Sequence, residues 1–592
     1  MPRHARASRL PPIDVGATRI ELGRARYLAR SLAQTIADDD RAAFAALVTR
    51  EALRVFGEQH VADFKLRPAL TDLAGDLDAT TCQLAENIGR TAAVLSFEEG
   101  AHAITSLYTT LIASKDRSSL GAFYTPPALT QRLVDLAEEG GADWATARVL
   151  DPASGGGTFL LAVLERMRGA MSGSDPAFVL AQLGTRLAGL EIDPHAAALS
   201  QALLDISLWP LAAASGREIP TFVRVCDTLE EEAAPLYDVV IGNPPYGRVG
   251  LTPIQRERFG RSLYGHANLY GVFTDIALRW TKPGGVIAYL TPTSALGGQY
   301  FVALRKLLAQ EAPPVAIDFV HARKGVFEDV LQETLLALYK RGAKPSRFQV
   351  HYLDVDSELE AKLTKNGKVA LPADPAAPWL APRNPEHVAL IAASEGMKHR
   401  LSDWGYEVST GPLVWNRFKP QLRSRPGPGT LPLVWAESVT ADGRFVFKAE
   451  KRNHAPHFKV EATDAWLIAD KGCVLLQRTT SKEQSRRLIA AELPASFVEA
   501  HGGVIIENHL NMIRAKGKPK VSASVVAAVM NSEIADQVFR CISGSVAVSA
   551  FELRSLPLPP AKAMGAIEKL VAAQAPRRDI ERALCQLYGI AT

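Results

Sequence analysis

The sequence predicts an α/β protein with a mostly parallel sheet in the middle of the chain, a helical region before it and a mixed α+β region after it. Three observations carry this reading. Short apolar runs alternate with amphipathic stretches from about Gly121 to Arg341, Ala and Leu dominate the residues before them, and strand-like segments broken by Pro and Gly fill the last third. At 592 residues the chain is too long for one ordinary domain.

In chain order, residues 1–18 are basic and read as a disordered tail, without the apolar core of a signal peptide. Residues 19–118 read as helical, since RYLARSLAQTIADDDRAAFAALVTREALRVF places apolar residues at three- and four-residue intervals. Residues 119–342 hold the runs ARVLD, RLAGLEID, FVRVCD, YDVVIGN, GVIAYLTP, PVAIDFVH and ETLLALYKR, the strands of the expected sheet. Residues 343–400 read as a connection punctuated by LPADPAAPWLAPRNP, and residues 401–592 as a further domain in which RSRPGPGTLP is a plain loop.

No run of about 18 apolar residues is present, so no membrane span is expected. The five cysteines (Cys82, Cys226, Cys473, Cys541, Cys585) form no CxxC pair, which points to a reducing, cytoplasmic setting and away from a structural zinc. His454 and His457 lie in a basic stretch and read as exposed rather than ligating, so no metal is expected. Net charge is +4, but residues 401–592 carry 25 Lys and Arg against 18 Asp and Glu. The C-terminal third is therefore the basic part, a mild signal for a polyanionic partner.

Four motifs bear chemistry. Asp151-Pro-Ala-Ser-Gly-Gly-Gly-Thr158 turns from a strand into a helix, where glycines let the backbone approach a ligand and leave helix amides free. Glu191, at the end of the next strand, can accept bonds from both hydroxyls of a ribose, whereas Asp193 before Pro194 fits a helix N-cap. Asp227 ends a third strand and can accept from an adenine amino group or serve as a turn residue. Asn243-Pro244-Pro245-Tyr246 closes the apolar strand begun at Asp238. Two prolines fix the backbone, the Asn243 side-chain oxygen and the Pro244 carbonyl can accept both hydrogens of one planar NH₂ group, and Tyr246 offers a face for stacking.

With these residues in place the chain resembles the N6-adenine-specific DNA methyltransferases of type II restriction–modification, the Eco57I/TaqI-like group with an Asn-Pro-Pro-Tyr motif. The resemblance covers roughly Gly121 to Arg341 and implies a Rossmann-like, seven-stranded methyltransferase domain followed by a DNA target-recognition domain. It implies S-adenosyl-L-methionine as cofactor, bound by Tyr124, Thr125, Pro126, Asp151, Ala153, Ser154, Gly155, Gly157, Glu191, Ile192, Asp227 and Asn243. Ser154 stands where the family often has Cys. The implied catalytic set is Asn243, Pro244, Pro245 and Tyr246, with Phe327 as second stacking face for an adenine flipped out of double-stranded DNA. Candidate DNA contacts are Arg417, Lys419, Arg423, Arg425, Lys451, Arg452, Arg478, Arg486 and Arg487. VSTGPLVWNR (residues 408–417) and SGSVAVSAFELRSLPLPP (residues 543–560) look like target-recognition segments.

The same amide chemistry would serve a protein glutamine or an RNA adenine, and the basic third alone would suit a non-enzymatic DNA-binding module. A cytosine-N4 enzyme would share the fold but usually shows Ser in place of Asn243. The large C-terminal region favours a stand-alone modification enzyme over a subunit that borrows its specificity. Such an enzyme's cognate endonuclease would act separately, and no membrane partner is expected.

Overall fold

A computed structural model describes residues 14–115, 117, 125–232, 236–322, 333–357, 359–479, 486–542 and 547–590. Helix formation starts inside the expected tail: Asp14 caps a helix Val15–Ala33 by accepting from Ala17 N–H at 3.1 Å. This N-cap brings Val15 to Thr18, the end of the expected tail, into the helix. The helices Arg41–His60, Ala79–Ala92 and Phe97–Leu111 complete the expected helical region.

The central sheet contains β1 (Val149–Asp151), β2 (Leu187–Glu191), β3 (Val223–Val225), β4 (Tyr237–Gly242), β5 (Thr281–Pro292), β6 (Pro314–Ala322), β7 (Thr334–Lys340), β8 (Phe348–Val355) and β9 (Ala361–Val369). Their order is β3-β2-β1-β4-β5-β7-β6-β8-β9. The first seven are the seven expected apolar runs. β1 to β5 pair in parallel, whereas β7 runs antiparallel between β5 and β6. Parallel strands buried on both faces read as continuous apolar runs, which is why the sequence displays them so plainly.

Two expectations need correction. The sheet has nine strands, because β8 pairs parallel with β6 and β9 antiparallel with β8. The boundary expected at residue 342 therefore cuts the sheet, and the expected connection supplies two of its strands. The rest of that stretch is a packed strap: Trp379 and Ala381 are buried, Trp379 N–H donates to Leu296 O at 2.8 Å, and Tyr352 Oη donates to Asn384 O at 2.9 Å. Pro-rich composition marked the absence of helix, not exposure.

The sheet separates two cores. One holds the helices Pro127–Glu139, Thr158–Ala170 and Pro194–Ser215 with the N-terminal helices; the other holds Leu269–Trp280 and Val302–Glu311. Among the described residues Pro194–Ser215 is the one helix long and apolar enough to cross a membrane, but most of it is buried inside this fold. From Tyr406 onward an antiparallel four-stranded sheet and a five-stranded sheet pack with short helices, the expected α+β arrangement.

A buried ionic knot fastens the sheet to its covering helix. Asp318 on β6, fully buried, accepts from Arg132 Nε at 2.6 Å and lies 2.7 Å from His351 Nδ1 on β8; Arg132 also reaches the half-exposed Glu139 at 2.8 Å. Removing one partner of a buried pair leaves the others uncompensated. Asp318→Ala is therefore expected to destabilise the fold by about 3–5 kcal/mol, and Glu139→Ala by less than about 1 kcal/mol, measured by urea unfolding.

Candidate active site

The strand order reverses direction between β1 and β4, with β2 and β3 on one side and β5 on the other. Crevices form at the carboxyl ends of strands at such a point. All four motif loops leave from those ends.

After β1 the chain makes a tight loop. Ser154 N–H donates to Leu190 O at 2.9 Å and Gly157 N–H to Ser154 O at 2.8 Å, while Gly155 and Gly157 take φ of +50° and +82°. A Cβ on Gly157 would lie 2.2 Å from Ser200 Oγ, so the loop sits against the helix Pro194–Ser215 with no room for a side chain. Helix Thr158–Ala170 begins at once, with no side-chain cap on its first amides. Those amides remain available to a ligand.

Glu191 clips this loop to the next. Its Oε2 accepts from Gly155 N–H at 2.7 Å and its Oε1 from Asp193 N–H at 3.0 Å. Each oxygen keeps a second lone pair for a hydroxyl. Burial raises its pKa above the usual glutamate value. Asp193 is the expected N-cap, accepting from His195 and Ala196 N–H, and it also accepts from Tyr108 Oη at 2.8 Å. Asp227 accepts from Leu229 N–H at 2.9 Å, and Thr228 Oγ1 ties this turn to Pro152 O at 2.7 Å.

Asp151 lies beneath the loop, fully buried. Its Oδ1 accepts from Ala153 N–H at 3.1 Å; Oδ2 has no partner, and neither has the buried Ser154 Oγ. Burial, with the nearby Glu191 charge adding to it, pushes the Asp151 carboxyl up to about 8. Gly242, ending β4, passes so close that a Cβ there would lie 2.6 Å from Asp151 Oδ1.

β4 delivers Asn243. Its Nδ2 donates to Thr125 Oγ1 at 3.2 Å, and Tyr246 Oη lies 2.6 Å from its Oδ1 and 3.2 Å from Leu290 O. Thr125 is buried, and burial holds the Tyr246 phenol well above its ordinary pKa. Tyr246 thus binds the acceptor that the sequence assigns to an amino group, rather than facing outward as a free stacking platform.

These groups surround a cavity of about 270 Å³. Of the expected cofactor residues, Thr125, Ala153, Ser154, Gly155, Glu191, Ile192, Asp227 and Asn243 line it, as does Pro245. Ile192 is 53% exposed, an apolar surface turned to the opening. Asp151, Gly157 and Pro126 shape the wall from behind, Pro126 as the N-cap of Pro127–Glu139. Tyr124 and Phe327 lie outside the described residues. The sequence missed Tyr108, a wall residue from the N-terminal helical region, and the apolar Val249, Leu269 and Phe273. Tyr108 stands in a helical stretch with no motif around it, so no local signal marked it.

The basic candidates separate into two groups. Arg417, Lys419, Arg425, Lys451 and Arg452 are exposed, and Lys419 lies over the Trp415 ring at 5.6 Å. Arg423, Arg478 and Arg486 instead spend guanidinium N–H groups on backbone carbonyls of Pro420, Asn508 and Asn531, bracing loops, while Arg487 N–H donates to Asp536. His454 is stacked on Trp435 at 3.8 Å and half-buried, not exposed as expected. Among the described residues a possible ligand cluster exists at Glu51, Cys82 and Glu86, but Arg54 pairs with both glutamates.

Residues 214–327 match the Eco57I restriction-modification methylase family. The chain is 26% identical to the type II methyltransferase M.BsuBI of Bacillus subtilis over 75% of this chain and 88% of that protein. It is 28% identical to the type II methyltransferase M.PstI of Providencia stuartii over 56% of this chain and 66% of that one. In fold it is similar to the type IIL restriction-modification enzyme MmeI, solved in complex with DNA, with a TM-score of 0.52, 13% identity, and coverage of 99% of this chain and 97% of that chain.

Asp151 gives a pH prediction. Its carboxyl protonates at about 8 in the folded chain against an ordinary value of 3.8, so the folded state binds this proton more tightly. The group adds no folding cost below about pH 4, a growing one up to about pH 8 and the full one above. Urea midpoints of the ligand-free protein should therefore fall between about pH 5 and about pH 8. Asp151→Asn should flatten that fall, the gap between the two proteins widening toward the upper end.

Proposed function

We propose that this chain, a member of the Eco57I-like restriction-modification methylases, transfers a methyl group from S-adenosylmethionine to N6 of an adenine flipped out of double-stranded DNA. It would act as the modification enzyme of a restriction–modification system. The observation that carries the reading is the Asn243 carboxamide, held by its neighbours at the mouth of a cavity floored by the glycine loop.

The cavity fits the cofactor. Two orphaned buried polar atoms, Asp151 Oδ2 and Ser154 Oγ, lie at the loop that would take the cationic methionine end. Glu191 keeps lone pairs for a ribose, and Asp227 and Ile192 offer an acceptor and an apolar face for the adenine ring. When bound, S-adenosylmethionine supplies an already activated methyl group, so the protein's work is positioning and charge stabilisation.

The chain's own residues act on the amino group. Asn243 Oδ1 and the Pro244 carbonyl accept its two hydrogens, drawing the N6 lone pair out of conjugation and stabilising the positive charge that develops there. Tyr246 must first give up Asn243 Oδ1, and its ring then serves as the stacking face, with Phe327 as candidate for the other. Thr125, by accepting from Nδ2, fixes which end of the amide faces the base. The exposed cations Arg417, Lys419, Arg425, Lys451 and Arg452 hold phosphates.

Incubation with labelled S-adenosylmethionine and unmethylated duplex DNA, followed by digestion to nucleosides, should yield N6-methyl-2′-deoxyadenosine. Asn243→Ala should lower the rate by at least about 10² at saturating cofactor. Labelled N4-methylcytosine, or labelled protein or RNA in place of DNA, would overturn the assignment. At saturating cofactor Thr125→Val should reduce kcat about fivefold, and Thr125→Ser should restore it, because one lost orienting hydrogen bond is worth about 1 kcal/mol.

A further inference from the structure

The strand Val504–Ile506 of the five-stranded sheet and the strand Leu510–Ala515 of the four-stranded sheet are joined by a single tight turn. Leu510 N–H closes it onto Glu507 O at 3.1 Å. Inside the turn, Glu507 is fully buried, and its carboxylate accepts from His509 N–H at 2.8 Å and holds His509 Nδ1 at 2.7 Å. The imidazole itself is 55% exposed. A buried carboxylate thus grips one nitrogen of a solvent-facing ring.

The turn is fixed from every side. Glu507 N–H donates to Val434 O, Asn508 N–H to Leu413 O, and Arg478 N–H to His509 O at 2.8 Å. Arg478 also donates through Nη1 to Asn508 O, and Val548 N–H reaches back to Arg478 O at 2.7 Å. Gly411 crosses so close that a Cβ there would lie 2.3 Å from Glu507 O. Both segments singled out as recognition-like therefore meet at this turn, the first through Gly411 and Leu413, the second through Val548.

The second segment also reaches the catalytic edge of the sheet. A Cβ on Gly297, in the helix that follows the carboxyl end of β5, would lie 3.4 Å from Oε1 of Glu552 in that segment and 2.2 Å from O of Ile542 just before it. The first segment continues from Leu413 into Trp415 and the exposed cations Arg417 and Lys419.

A carboxylate only accepts, so Nδ1 donates to Glu507, and when Nδ1 carries the ring's one proton Nε2 is an acceptor pointed away from the grip. A pre-oriented acceptor on a rigid turn matches the exocyclic amino groups that adenine N6 and cytosine N4 present in the major groove. We infer that His509, oriented by Glu507, reads one base pair of the target sequence through the major-groove edge of double-stranded DNA. This rests on the proposed DNA methyltransferase activity.

The test maps methylated sites in a duplex library randomised around the target, using wild type, His509→Ala and Glu507→Gln. Melting curves and cofactor titration confirm that each variant is folded. His509→Ala changes an exposed side chain and should stay folded; it should lose about tenfold discrimination at one position of the site and leave the others intact. Glu507→Gln should relax the same position.

An unchanged site preference for His509→Ala overturns the inference. So does a uniform loss of affinity with a shallower salt dependence, which would mark a phosphate contact. Failure of the wild type to methylate DNA at all would strike the proposed activity first and is visible before any variant is compared.

Discussion

Glu191 accepts from Gly155 N–H at 2.7 Å and from Asp193 N–H at 3.0 Å, clipping the loop after β1 to the loop after β2. Most of the site follows from this carboxylate. It sets the glycine turn at the height where Ser154, Gly155 and Thr158 line the cavity. It also starts the helix Pro194–Ser215 at Asp193, whose Ser200 in turn forbids a side chain at Gly157. Two backbone donors on a half-buried carboxylate are charge-assisted bonds, stronger than neutral ones. The same group is thereby both scaffold and ligand, and a change there would move the loop as well as remove a contact.

The N-terminal helices, silent in the sequence as to role, are joined to the same clip. Tyr108 donates to Asp193 Oδ2, and Thr49 Oγ1 lies 2.8 Å from Nε2 of His195, whose ring packs tilted against Tyr108 at 4.7 Å. Burial lowers the His195 pKa to about 4, so this ring is a neutral packing element. The helical region therefore completes a wall of the cavity. Its apolar periodicity announced helices, but a wall residue needs only one side chain turned the right way, and periodicity carries no such information.

The same distinction separates what was legible from what was not. The strands β1, β2 and β4 to β7 were readable because burial on both faces leaves little room for polar alternation, and β3, an edge strand exposed at Arg224 and Val225, by its valines. β9 was not: AKLTKNGKV carries lysines, as an edge strand does, and so resembles a loop; β8, interior and mostly buried, lay beyond the boundary drawn at residue 342. The loop residues at strand ends were readable because glycine, proline and asparagine have local chemistry. Three arginines ranked as surface cations were not, since whether a guanidinium faces water or a carbonyl is decided by segments distant in sequence. His509 escaped for the same reason; only the fold shows that Glu507 beneath it is buried.

Tyr246 adds a consequence that the motif alone does not contain. With no base present, a half-buried acceptor such as the Asn243 oxygen needs a donor from the protein. The tyrosine hydroxyl fills that need at 2.6 Å, so the empty site is internally satisfied. On the proposed reaction, an entering base must replace the hydroxyl with a donor of its own. Adenine brings two N–H groups and makes the exchange nearly even. A base edge bearing a carbonyl there would strand two acceptors against each other, a penalty of the kind that lets hydrogen-bonding sites reject analogues strongly. Selection for an amino group is then exerted at entry, before any chemistry, by the competition between two donors for one oxygen.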